Sequence, residues 1–209
     1  GILVGGVLAA RVKMIQMPQL VALLNGLGGL ASALIGILSF LGIGILPSSY
    51  PHFVNVTSVL AIIVGFVTLM GSLVAAGKLH HLLPQKPVNW KNHGAILNSS
   101  LALLAAATVF AAFTGGSPSA ITVILIVSIG VSILFGVGFA IRVGGADMPI
   151  TISLLNSLSG VAGAIAGMAV NDLLLVSVGG IVGASRLLLT QVMCTAMNRG
   201  LKDILTGKT

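Results

Sequence analysis

The chain contains no glutamate, one cysteine, one tryptophan, one tyrosine and only three aspartates among its 209 residues. Each shortage removes a class of function. Charged side chains make up 6% of the sequence, against about 25% in an ordinary soluble domain, so the usual solvated surface cannot be built. The single cysteine, Cys194, rules out a disulfide within the chain and any cysteine-based metal cluster; it reads as a small buried hydrophobe. No His, Asp or Glu falls inside an apolar run where it could activate a serine, which excludes a nucleophile and base pair. What the chain has in quantity is apolar surface and glycine: 56% hydrophobic residues and 28 glycines, with a mean hydropathy of +1.16. Small residues let membrane helices bring their backbones close. Ten Lys plus Arg give a net charge of +7, but a nucleic-acid partner needs a basic patch on a soluble surface, and these residues sit in the short gaps between apolar runs.

Six continuous apolar stretches, at roughly 18–46, 57–79, 95–113, 119–141, 149–169 and 173–197, are each long enough to cross a bilayer. A shorter one reaches Arg11 after about ten residues, half of what a span needs, and reads as a partial span of a fragment; without a basic segment before it, a signal peptide is a poor alternative. Continuous runs of this length are not the alternating ten-residue pattern of membrane strands. The fold class expected is therefore all-α, a polytopic transmembrane bundle of six full spans plus a partial N-terminal one, forming one domain over residues 1–209. The 18–46 stretch exceeds one span, so it tilts, or frays around Gly42 and Gly44 before Pro47.

The loops are of two kinds. Arg11 and Lys13, then Lys78, Lys86 and Lys91, then Arg142, then Arg199, Lys202 and Lys208 all fall on one side, while the loops at 47–56, 114–119 and 171–172 carry no Lys or Arg. By the positive-inside rule the basic side is cytoplasmic, or matrix in an organelle, and the C-terminus emerges there. The four histidines, His52, His80, His81 and His93, lie in loops or at their edges and read as interfacial side chains, since His80 and His81 lack further ligands at metal-site spacing.

An internal repeat is the most informative pattern. Residues 17–36 read MPQLVALLNGLGGLASALIG and residues 148–167 read MPITISLLNSLSGVAGAIAG, identical at ten of twenty positions. Both copies run outward from the basic side, so the repeat is parallel. In each, a proline opens the helix and an asparagine follows about 12 Å into it, which puts Asn25 and Asn156 inside the hydrocarbon. Small residues share their face: Gly28, Gly29, Ser32 and Gly36 in one copy, Ser159, Gly160, Gly163 and Gly167 in the other. One asparagine could simply bond two helices together; two at equal depth, with Ser72 and Ser185 expected nearby, suit a water-lined path or a substrate site. Arg186, about ten residues from the end of the last run, is costly in a membrane and so a functional candidate, although its stem could snorkel toward the basic interface. Gly26, Gly28 and Ala31 match a dinucleotide fingerprint, but that motif works only between a strand and a helix start, and here it lies inside an apolar helix. Nothing within the spans titrates near neutral pH, so any proton path must use ordered water or a group from a partner chain.

The segments MPQLVALLN, GSLVAAGKL from Gly71, IRVGGADMPITISLLNSLSG from Ile141, NDLLLV from Asn171 and VMCTAMNR ending at Arg199 together resemble the membrane domain of the beta subunit of proton-translocating NAD(P) transhydrogenase. The resemblance covers nearly the whole chain. It implies a proton channel coupled to hydride transfer between NADH and NADP, both bound on soluble domains outside this chain, so no cofactor is expected on the chain itself. The partners it implies are lipid, helices of an alpha subunit, an NADP(H)-binding domain after Thr209 and a second protomer in a homodimer, in a bacterial inner membrane. By the same resemblance Asn156 falls on the channel asparagine, Ser72 on a serine of a Gly-Ser motif, and Asp147, flanked by Arg142, Gly144 and Gly145, on the loop aspartate that communicates with the NADP(H) domain. Two departures matter. Asn25 stands where many members carry the proton-carrying histidine, and members lacking it are expected to hold one on an alpha-subunit helix; Arg186 stands where a small residue is common. Asp147 also reads as a negative charge favouring the dipole of the helix opened by Pro149. A secondary transporter with its substrate site at the repeat, or a structural membrane subunit, are the alternative readings.

The charge pattern sets a topology test. Tags placed at Ser49 and Ser117 should report the side opposite to tags at Lys86 and after Thr209; finding Ser117 and Lys86 on one side would show the span count to be wrong.

Overall fold

The computed structural model describes residues 1–43, 50–114 and 117–206. The helices are α1 (Ile2–Arg11), α2 (Met17–Phe40), α3 (Pro51–Leu79), α4 (His93–Ala111), α5 (Pro118–Ile141), α6 (Met148–Ala169), α7 (Leu173–Ala196) and α8 (Leu201–Thr206), with short 3-10 turns at Met14–Gln16 and Gly145–Asp147 leading into α2 and α6. No strand occurs among the described residues. Six helices, α2 to α7, are long and apolar enough to cross a membrane, in agreement with the sequence pattern. Prolines begin α2, α3, α5 and α6, where a missing N–H leaves no helical bond unmade.

Four helices stop in the same way. Gly42, His81, Asn171 and Asn198 take left-handed φ of 68°, 59°, 58° and 51°, and the next N–H turns back to the carbonyl five residues earlier: Ile43 to Leu38, Leu82 to Gly77, Asp172 to Gly167 and Arg199 to Cys194, at 2.8 to 2.9 Å. This closes carbonyls that lipid could not satisfy. It also corrects two boundaries. The first span ends at Phe40, because Gly42 turns the chain out of the helix, while Gly44, Pro47 and Ser49 lie outside the described residues. The second begins at Pro51 rather than at 57, since the proline nucleates a turn that carries His52 and Asn55 in the helix.

The hub is α3. It packs against α2, α4, α5 and α6, and α6 in turn packs against α2 and α7. Its most apolar stretch is 67% buried, against 17% for α4 and for α7, so α3 is the core and those two helices form the flanks. Glycine makes the approach close enough. A Cβ added at Gly65 would lie 2.5 Å from the carbonyl oxygen of Gly29, and one at Gly36 would lie 2.7 Å from that of Ser58. The α6–α7 crossing is built alike: Gly160 meets Gly183, Gly179 meets Ala164 and Gly167 meets Val176. Gly29 and Gly160, and likewise Ala33 and Ala164, are equivalent positions of the repeat. Gly29 and Ala33 pack on Gly65, and Gly160 and Ala164 pack on Gly179. What is duplicated is thus a helix hairpin, α2–α3 and α6–α7. The small-residue stripe read from the sequence is divided between two neighbours, since Gly28 faces Ser159 of α6 while Gly29 and Gly36 face α3.

Gly65→Leu should force the α2–α3 backbones apart and destabilise the bundle by roughly 1–3 kcal/mol or more. Gly130, where an added Cβ meets nothing within 4 Å, should accept the same change with little effect; thermal aggregation midpoints of the two purified variants compare them directly.

Candidate functional site

The two asparagines lie where α2, α3 and α6 meet. Asn25 is 7% exposed, and its Nδ2 donates to the carbonyl of Ile152 at 3.5 Å. The side chain reaches back toward the helix start, as helical geometry directs, so its acceptor lies one turn before Asn156. Asn156 is half-buried and its amide has no hydrogen bond among the described residues. Ser72 is completely buried; its Cβ lies against Gly26, next to Asn25, while Gly71 lies against Leu155, next to Asn156. Its hydroxyl has no partner among the described residues, an arrangement that in proteins calls for an ordered water. Three of the expected residues, Asn25, Ser72 and Asn156, are therefore gathered at one depth.

Further polar groups, not singled out from the sequence, extend this point into a seam. On the basic side Gln19 Nε2 donates to the carbonyl of Leu79 at 3.0 Å, with His80 Nδ1 3.3 Å from Gln19 Oε1. Beyond the asparagines come buried Ser32 and Thr68, bonded to carbonyls of their own helices. At the outer end Ser58 Oγ donates to Ser39 Oγ at 2.8 Å, and Ser39 Oγ donates to the carbonyl of Ala169 at 3.2 Å. A second set ties α6 to α7: Ser153 and Thr190 hydroxyls are 2.9 Å apart, and Ser157 Oγ donates to the carbonyl of Gly183 at 2.7 Å. The one-turn spacing of Ser153 and Ser157 was a signal available in the sequence.

Two candidates are not gathered. Ser185 is exposed on the outer side of α7 and bonds only the carbonyl of Val182, because the inner face of α7 is the one carrying Gly179, Gly183 and Thr190. Arg186 is half-buried and has no ion pair among the described residues; Thr190 Oγ1 donates to its backbone carbonyl at 2.9 Å. The tight contact of α7 with α6 is made instead by Gly179 and Gly183.

The basic face holds the remaining candidates. Asp147 is 2% exposed and precedes α6, with Oδ1 3.5 Å from Nε of Arg199. Arg142 caps the end of α5, its Nε buried without a partner among the described residues. Gly144 and Gly145 lie in the connector that leads to Asp147. Neither has a positive φ, and the backbone is tied down: Gly145 N–H donates to Gln85 at 2.8 Å and Val88 N–H to Ile141 at 3.2 Å. His93 opens α4, at a loop edge as expected, but its side chain turns into the bundle. It is 5% exposed, stacks on Trp90 at 5.0 Å, accepts from the Trp90 N–H at Nδ1 and donates from Nε2 to the carbonyl of Gly138 at 2.9 Å. The Gly26–Gly28–Ala31 segment lies within α2, where the backbone N–H groups are helix-bonded, and does not fit a nucleotide pyrophosphate.

A family model described as NAD(P) transhydrogenase beta subunit matches residues 1–209. Two proteins of Rhodospirillum rubrum, one of them from a named strain, are each called NAD(P) transhydrogenase subunit beta; each is 35% identical over 209 residues, covering 98% of this chain and 44% of the relative. The chain thus spans less than half the length of these curated relatives.

The Asp147–Arg199 pair joins the start of α6 to the end of α7. Arg199→Ala leaves a buried carboxylate without its cation and should lower stability by roughly 1–3 kcal/mol. Adding Asp147→Asn should recover part of that loss, which a double-mutant cycle on thermal midpoints measures.

Proposed function

We propose, for a chain that belongs to the NAD(P) transhydrogenase beta subunit family and is an integral membrane protein with six spanning helices, that residues 1–209 form the proton-conducting domain of the complete enzyme. In this reading hydride passes between NADH and NADP on soluble domains outside the chain, and the α2–α3–α6 seam carries the proton that is coupled to it. The observation that carries the reading is the buried, unpartnered hydroxyl of Ser72 between Asn25 and the open amide of Asn156. An amide offers two donors and an acceptor, and a hydroxyl one donor and two acceptor lone pairs; together they order water without holding a charge. Gln19 at one end and Ser39 with Ser58 at the other continue the polar lining toward the two faces.

None of the amides and hydroxyls inside the spans titrates near pH 7; in this reading the group that takes up and releases the proton at the level of the asparagines comes from a partner chain, an alpha-subunit helix carrying a histidine. With Asn25 turned into its own bundle, that imidazole meets the seam through water rather than by a direct bond to the Asn25 amide. Asp147, with Arg142, Gly144 and Gly145 beside it, faces the NADP(H)-binding domain from the cytoplasmic side, and the C-terminus emerges there, in a bacterial inner membrane. Ser185 drops out of the path because it faces away from the seam, and Arg186 belongs to the flank of α7. A second protomer completes the complex as a homodimer.

Asn156→Leu keeps side-chain volume and removes the groups that order water. In the full complex it should reduce proton-coupled turnover by about 10- to 100-fold with assembly retained. Asn25→Leu, whose amide is already engaged with Ile152, should cost less. Nicotinamide reduction in sealed vesicles, with and without an imposed proton gradient, reads both; full coupled activity in Asn156→Leu would return that residue to helix association alone.

A further inference from the structure

Lys78 is the largest side chain of the described residues to be completely buried, and among those residues no carboxylate pairs with its ammonium. Its Nζ donates instead to backbone carbonyls, 2.6 Å from Ile141, 2.7 Å from Val143 and 3.4 Å from Lys86. An ammonium has three N–H donors, and all three are engaged. Ile141 ends α5, where helical carbonyls lack partners and the dipole is negative, so the end of a helix serves as the counter-charge. The sequence pattern alone gave this lysine a topological role.

The three acceptors belong to two segments that also bond each other. Val88 N–H donates to Ile141 and Gly145 N–H to Gln85, which lays the 85–88 loop along the connector from α5 to α6. Two residues beyond Gly145 that connector carries Asp147, paired to Arg199. From α3, the core helix, Lys78 thus holds the strip of backbone on which the buried carboxylate is mounted. Movement of the connector away from the bundle would have to strip carbonyls from a buried charge.

We propose that Lys78 is a positioning residue: a pin between the α3 core and the 141–147 connector that makes the setting of Asp147 depend on the state of the bundle. The coupling half of this statement rests on the proton-path reading given above; the pin itself does not. In the full complex, backbone hydrogen exchange followed by mass spectrometry should show peptides covering 85–88 and 141–147 exchanging at least about tenfold faster in Lys78→Met than in wild type, with α2, α3 and α6 unchanged. The same variant should keep gradient-independent hydride exchange between nucleotides and lose the response of turnover to a proton gradient. Lys78→Arg, which keeps a charged multiple donor, should restore both in part. Unchanged exchange in the connector overturns the pin; a freed connector with gradient response intact overturns its part in coupling. Should Lys78→Met not assemble, Lys78→Gln, uncharged and shorter in reach, gives the same two readings. A wild-type complex without any gradient response would defeat the proton-path reading while the exchange data still decide the pin.

Discussion

Lipid rewards a pair of helices neither with a hydrophobic gain nor with hydrogen bonds for stray backbone groups, so this bundle depends on how near two backbones can come. At the α2–α3 crossing Gly29 and Gly65 remove the side chains that would keep them apart. The rest of the arrangement follows from that approach. Ser72 comes against Gly26, Asn25 turns toward the carbonyl of Ile152, and the hydroxyls of Ser39 and Ser58 meet at the outer end. A bulky residue at the crossing would separate the polar groups as well as the helices.

Spans and repeat were legible because each rests on a local pattern: run length, and two matching twenty-residue segments. Asn25, Ser72 and Asn156 could be placed at one depth because rise per residue converts position into height. Rotation about the helix axis was harder to read. Ser185 and Ser153 are both serines at moderate depth, yet Ser185 is exposed while Ser153 is bonded to Thr190. The face of α7 is decided by Gly179 and Gly183 meeting α6, a contact between distant segments. The burial of His93 was hidden for a similar reason: its acceptor, the carbonyl of Gly138, lies 45 residues away.

The positive charges show how one residue type serves different ends. Lys13, Lys86 and Lys91 are exposed, and the positive-inside rule reads only their sign. Lys78 and Arg199, counted in the same pattern, turn inward to backbone carbonyls and to Asp147. A rule based on counting charges in loops cannot separate the two kinds, because the difference lies in what each cation finds within reach.

Since Gly65 and Gly179 occupy equivalent places in the two hairpins, the residue seven positions further along each helix is equivalent too: Ser72 in α3, Arg186 in α7. One is sealed among neighbours and the other keeps an open flank. At this place the central helix is packed closely around a hydroxymethyl, whereas the peripheral one carries a guanidinium that the centre has no room to admit. The repeat is a symmetry of backbones and not one of tolerances, since the side chain that α7 carries at this place could not be housed at its counterpart in α3.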